Sequence, residues 1–208
     1  MSVFFRKRTV SNQNVFVAPD RATAVGLALD AGLGAPGNGT IVDQIPVVWP
    51  KLSSYINDDV FLPDEPEYLW DSSISDGQSR GFAVVCDSFN HTFPVQVLTS
   101  LTVFTDNAHE AVIEIYNTVD PIPALVASIS PYPPPLIDGN MDPVKGYTEV
   151  QPYNWQTIRY FSNFSPLLPQ NNNYSVVVSF RAVNYNVFPP FSANPAGLAF
   201  VLDSYRIV

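Results

Sequence analysis

One cysteine, two histidines and a charged fraction of 14% leave this 208-residue chain poor in the side chains that carry most chemistry. With Cys86 alone, no intramolecular disulfide can form, and the residue reads as a small buried hydrophobe. His91 and His109 are the only imidazoles. Cys86 and His91 fall close together around an expected strand end, yet no third orienting group or oxyanion loop flanks them. The chain has no G-x-S-x-G, H-E-x-x-H, P-loop or G-x-G-x-x-G motif, so no catalytic residue and no enzymatic activity is expected. No apolar run approaches the ~20 residues that span a bilayer, which argues against membrane insertion. The N-terminus also lacks the apolar core of a Sec signal peptide. Basic residues are outnumbered, with a net charge of −9 and a pI near 4.4. Phosphate binding needs a basic surface, so nucleic acid is not expected as the main partner.

What is present is apolar, aromatic and rich in proline. Hydrophobic residues make up 46% of the chain, with 20 prolines, 14 phenylalanines and 10 tyrosines. Asp20 is placed to cap one helix over Arg21–Asp30, ended by Gly32 and Gly34. From residue 81 onward the hydrophobic period is two. Strands are expected over Gly81–Phe89, Val97–Phe104, Glu110–Asn117, Ala124–Ser130, Trp155–Phe161, Tyr174–Val183 and Leu198–Val208, separated by turn clusters such as Gln170-Asn171-Asn172-Asn173. Val97–Phe104 is apolar on both faces, as a strand buried between layers must be. The pattern predicts an all-β protein: an antiparallel β-sandwich or jelly roll with one short N-terminal helix and long Pro-rich loops. The expected organisation is an extended arm over 1–19 and a single sandwich domain over 20–208.

Charge is unevenly placed. Arg6, Lys7 and Arg8 hold three of the ten basic residues within the first eight positions, and all 19 acidic residues follow them. A basic arm of this kind needs something to lie on. Val3, Phe4, Phe5, Arg6, Lys7 and Arg8 therefore form a candidate assembly arm, with aromatic and arginine side chains as anchors. Its expected receptor is the acidic stretch Asp58, Asp59, Asp64, Glu65, Glu67, Asp71 and Asp76 of a neighbouring copy, where opposite charges steer the encounter. Docking on the arm's own domain is the alternative.

Two further patterns suggest ligands. Asp138, Asn140, Asp142 and Glu149 fall at positions 1, 3, 5 and 12 of a loop, the oxygen spacing of an EF-hand, which makes calcium a possible cofactor. Pro143 stands where that loop has glycine, and the flanks are not helical. Trp49, Trp70 and Trp155 lie in loop-rich or strand-start regions, where exposed rings can stack on a glycan.

Together these features point to a structural subunit that assembles with copies of itself into a filament, coat or shell. The architecture resembles jelly-roll subunits of viral capsids and of bacterial surface or spore appendages. That resemblance implies a virion or extracellular surface location reached from the cytoplasm without a Sec signal. The alternative is a carbohydrate- or receptor-binding module of fibre or adhesin type.

Overall fold

The computed structural model describes residues 2–43, 49–52, 65–129, 136–146, 157–186 and 194–208. Along the chain these form β1 (Val3–Val10), β2 (Phe16–Ala18), α1 (Arg21–Ala31), β3 (Thr40–Ile41), β4 (Leu69–Trp70), β5 (Ser79–Asn90) and β6 (Gln96–Asp106). There follow β7 (Ala108–Asn117), β8 (Ala124–Ser128), β9 (Leu136–Asp138), the one-turn α2 (Pro143–Gly146), β10 (Arg159–Phe164), β11 (Asn173–Val183) and β12 (Gly197–Ile207).

The strands build two antiparallel sheets packed face to face. In sheet A the order is β10-β6-β12, with β1 and the short β4–β3 pair both on the far side of β12. In sheet B it is β2-β5-β11-β7, with β8 and β9 sharing the far side of β7. The long strands therefore stand as β1-β12-β6-β10 over β5-β11-β7-β8, the strand order of an eight-stranded jelly roll.

Alternation explains which residues fill the interior. Tyr174, Val176, Val178, Phe180 and Ala182 of β11 point inward with Phe82 and Val84 of β5. Val97, Leu101 and Val103 of β6 and Leu198, Phe200 and Leu202 of β12 meet them from sheet A. Phe180 and Phe200 close the gap between sheets with ring centroids 4.9 Å apart.

Each sheet also covers its outer face. On sheet B, α1 seats Ala24, Val25 and Ala28 on Ala83, Val85 and Val177. Asp20 caps this helix by accepting from the Thr23 backbone N–H at 2.9 Å, an interaction worth about 1 kcal/mol. The helix stops at Gly32, whose φ of 82° side chains rarely tolerate. Gly81 lets the helix start lie directly on β5, because a Cβ there would stand 2.2 Å from the Asp20 carbonyl. On sheet A, Trp49, Leu52 and Tyr68 cover Phe104, Ala199 and Val201.

Candidate functional site

The basic arm is strand β1 of sheet A. Val3–Val10 runs antiparallel to β12 of the same chain, and Ser2 exchanges backbone hydrogen bonds with Val208. Alternation splits its three basic residues between two faces. Arg6 and Arg8 lie on the outer face, opposite Tyr205 and Asp203 in register. Arg8 grips Asp203 with both ends of its fork, Nε to Oδ1 at 3.0 Å and Nη2 to Oδ2 at 2.9 Å. Arg6 Nη2 adds a bond to the same carboxylate at 3.0 Å, with its guanidinium 5.5 Å over the Tyr205 ring. Lys7 points between the sheets toward Asp87, and burial holds its ammonium pKa below the usual lysine value. Thr9, also inward, donates its hydroxyl to the Cys86 carbonyl on β5 at 3.1 Å. Thus β1 is bonded along one edge to β12 and leans on sheet B. Between its other edge and β5 lies a groove of about 180 Å³ lined by Lys7–Val10, Asn12, Asn14, Leu33, Gly34, Val84 and Val85.

Two bulges create the most concentrated chemistry in the described residues. In β5, Val85 pairs with Val177 and Asp87 with Val176, so Cys86 is an extra residue. A bulge re-aims the side chains beyond it, and here it turns Asp87 and Phe89 into the interior. In β1, the register shifts between Val3 and Phe5, which sends both Phe4 and Phe5 toward sheet B. Arg206 of β12 enters the space between. Its Nε and Nη2 donate to Asp87 at 2.9 and 3.0 Å, and its Nη1 lies 3.0 Å from His91 Nε2. The guanidinium sits 3.6 Å from the Phe5 ring centre and 4.8 Å from that of Phe89, so cation–π attraction adds to the ion pair.

A guanidinium only donates, so His91 Nε2 accepts and the imidazole is neutral. Burial first, then the Arg206 charge, lowers the His91 pKa, against a smaller opposing effect of Asp87. The His91 ring meets Phe4 edge-on, with centroids 5.1 Å apart, and tilts against Phe93 at 5.2 Å.

The other candidate residues are dispersed. Of the acidic receptor, Glu65, Glu67, Asp71 and Asp76 are described, while Asp58, Asp59 and Asp64 lie outside the described residues. Glu67 meets the chain at Ser11 through backbone bonds, and Asp71 is paired with Arg80 at 2.5 Å. Within the chain Arg6 and Arg8 are thus engaged by Asp203.

The calcium spacing forms a turn. Asp138 pairs with Arg159 at 2.8 Å, Asn140 accepts from the Asp142 N–H, and Asp142 accepts from Val144 and Lys145 N–H groups. Those hydrogen bonds hold the exposed Asp142 carboxyl below the usual carboxylate range. Glu149 lies outside the described residues, and among those described no three acidic, cysteine or histidine side chains are grouped to hold a metal. The sequence spacing matched, but the oxygens diverge onto separate partners.

The tryptophan reading needs correction for two of its three residues. Trp49 and Trp70 are 3% and 0% exposed and cannot stack on a sugar. Their indole N–H groups donate inward, Trp49 to Asp106 at 2.7 Å and Trp70 to Gln78 at 2.6 Å. Trp155 lies outside the described residues.

Nor do Cys86 and His91 make a thiol–imidazole pair. The Cys86 Sγ turns to the Val84 carbonyl, burial pushes its pKa up to about 12, and His91 is occupied by Arg206. His109 is 1% exposed, neither ring nitrogen has a hydrogen-bond partner among the described residues, and burial brings its pKa down to about 3. Compared with known proteins, the chain matches no family model and no curated protein.

The Asp87–Arg206–His91 constellation escaped the sequence reading because strict alternation over Phe82, Val84 and Cys86 sends Asp87 outward. The available signal was a carboxylate in one apolar strand and an arginine in another, since buried charges must be paired.

Proposed function

We propose that this protein is a structural subunit that assembles with copies of itself through its N-terminal strand into a filament, coat or shell. The observation that supports this reading is the placement of β1. It is a peripheral strand with a single strand partner, β12, among the described residues, and its Arg–Asp clasp is one that the β12 of a second copy offers equally. Exchange of such an element between protomers is an inexpensive route to association, and backbone pairing supplies its strength. Jelly rolls serve as capsid subunits among other roles; that support is analogy of fold alone. A surface structure or virion is the proposed destination, after synthesis in the cytoplasm. No catalytic step is part of the proposal.

The test is mass. The full chain should form high-mass assemblies by light scattering and negative-stain microscopy, and deletion of residues 2–10 should leave it monomeric. A full chain that stays monomeric at high concentration defeats the reading. A cross-linking arm guards against misfolding of the deletion. Arg6→Cys and Tyr205→Cys chains, whose positions are register partners, should yield a mixed disulfide dimer when combined.

A second reading, a glycan- or receptor-binding module, draws support from the outer face of sheet A. Register places Phe164, Leu98, Tyr205 and Arg6 in one row across four strands. Phe164 is 45% exposed and Tyr160, on the same face with the Ser162 row between them, 56%. Aromatic rings on a flat sheet suit the apolar face of a sugar. Retention on a glycan array that Phe164→Ala abolishes supports this reading; no retention removes it.

A further inference from the structure

The Arg206 site joins the start of β1 to both sheets through a titratable group. Three elements meet at His91: β12 through Arg206, β5 through Asp87 and Phe89, and β1 through Phe4. Phe93, from the loop that follows β5, closes the stack against Phe4 at 5.6 Å. The charged groups facing the imidazole are Arg206 at 3.0 Å and Asp87 behind it, and Lys7 faces the same carboxylate from β1.

We propose that His91 is an acid-opened latch that holds Val3–Phe5 in place and releases them when its ring is protonated. This rests on the assembly reading, in which the freed start of β1 becomes available to a second copy.

The chemistry runs in one direction. Neutral His91 offers Nε2 as an acceptor to Arg206. A proton on that nitrogen removes the lone pair and sets two cations at 3.0 Å. Arg206 cannot yield, being held by two bonds to Asp87, whose side chain is only 2% exposed. The imidazole must therefore leave, and it takes with it the ring against which Phe4 packs edge-on. Phe4 and Val3 are already 40% and 55% exposed, so the first turn of contacts to open is theirs. Arg6 and Arg8 stay on Asp203, which does not face the histidine, so opening stops short of the whole strand. The lowered His91 pKa fixes the sign: the closed form is favoured above the histidine's open-state pKa and loses that advantage as pH falls toward the closed-state value.

Amide hydrogen exchange on the full chain at about pH 7.5 and about pH 5, corrected for the intrinsic pH dependence of exchange, reads the latch directly. Protection of residues 3–5 should fall on acidification, by roughly tenfold for each unit by which closure depresses the histidine pKa. Protection in β11 should hold. In His91→Gln, whose side-chain oxygen accepts from Arg206 without titrating, the loss should vanish. Should that variant fail to fold, His91→Phe, which keeps the ring stack, carries the same expectation. Equal protection at both pH values in the natural chain overturns the latch, as does a pH dependence that survives either substitution. Neither result bears on assembly, which the 2–10 deletion tests separately.

Discussion

Strand β12 carries one half of each of two arginine–carboxylate clasps, and they face opposite ways. On the outer face it supplies the carboxylate, Asp203, to Arg8 and Arg6 of β1. On the inner face it supplies the arginine, Arg206, to Asp87 of β5. The outer clasp ties neighbouring strands of one sheet, whereas the inner one ties sheet to sheet. Their surroundings differ too. Asp203 accepts from the buried Arg8 and from Arg6, which reaches solvent, while Arg206 lies between two phenylalanine rings with a histidine on its remaining edge. Ion pairs near water contribute little. Breaking one that is enclosed strands a charge that nothing else can solvate. The inner clasp should therefore govern global stability, and the outer one should govern how firmly β1 is seated.

Removing Asp87 gives the sharpest contrast. Asp87→Ala should cost about 3–5 kcal/mol in urea unfolding, because Arg206 is left buried and unpaired. Replacing both partners, Asp87→Leu with Arg206→Met, should recover most of that loss. If the double variant is no better than the single one, the stranded-charge account is wrong. On the outer side, Asp203→Ala should cost about 1.5–3 kcal/mol, since it deprives the Arg8 side chain of its charged acceptor.

A third carboxylate has no arginine beside it among the described residues. Asp106, 4% exposed, accepts from Trp49 and Asn107, and burial pushes its pKa up to about 7. A folded pKa above the unfolded one means that its contribution is complete in acid and is lost as pH rises through about 7. Asp106→Asn should remove that component, moving the melting temperature at neutral pH by about 2–4 °C per kcal/mol relieved. An unchanged pH profile in calorimetry would count against it. Smallest of all, Arg6→Ala should cost under about 1 kcal/mol and fade with added salt, because its side chain is 31% exposed.

The elements built on simple periodicity were readable in advance. The helix cap at Asp20, the stop at Gly32, the inward face of β11 and the sandwich itself all follow from spacing. Strand order was not readable, because alternation assigns faces and leaves partners open. The site was hidden for a narrower reason. One extra residue at Cys86 reverses which side chains face inward beyond it, and the shift around Phe4 does the same in β1. Neither bulge has a glycine or proline to announce it. The tryptophans misled in a similar way: Trp49 and Trp70 sit near loops in sequence, yet Asp106 and Gln78 give their polar N–H groups partners inside, which makes burial tolerable.

The pairing of β1 with β12 has a consequence for the order of events during synthesis. Of the described strands, β1 is made before all the others and finds its partner in β12, made after them, and β12 lies between β1 and β6 in its sheet. Sheet A therefore stays without its middle strand until β12 has been made. Contacts of such long sequence separation form slowly, and the exposed intermediate is prone to stray association. Completion of β12 is then the step that seats β1, so a chain truncated before β12 should lose the docking place of β1.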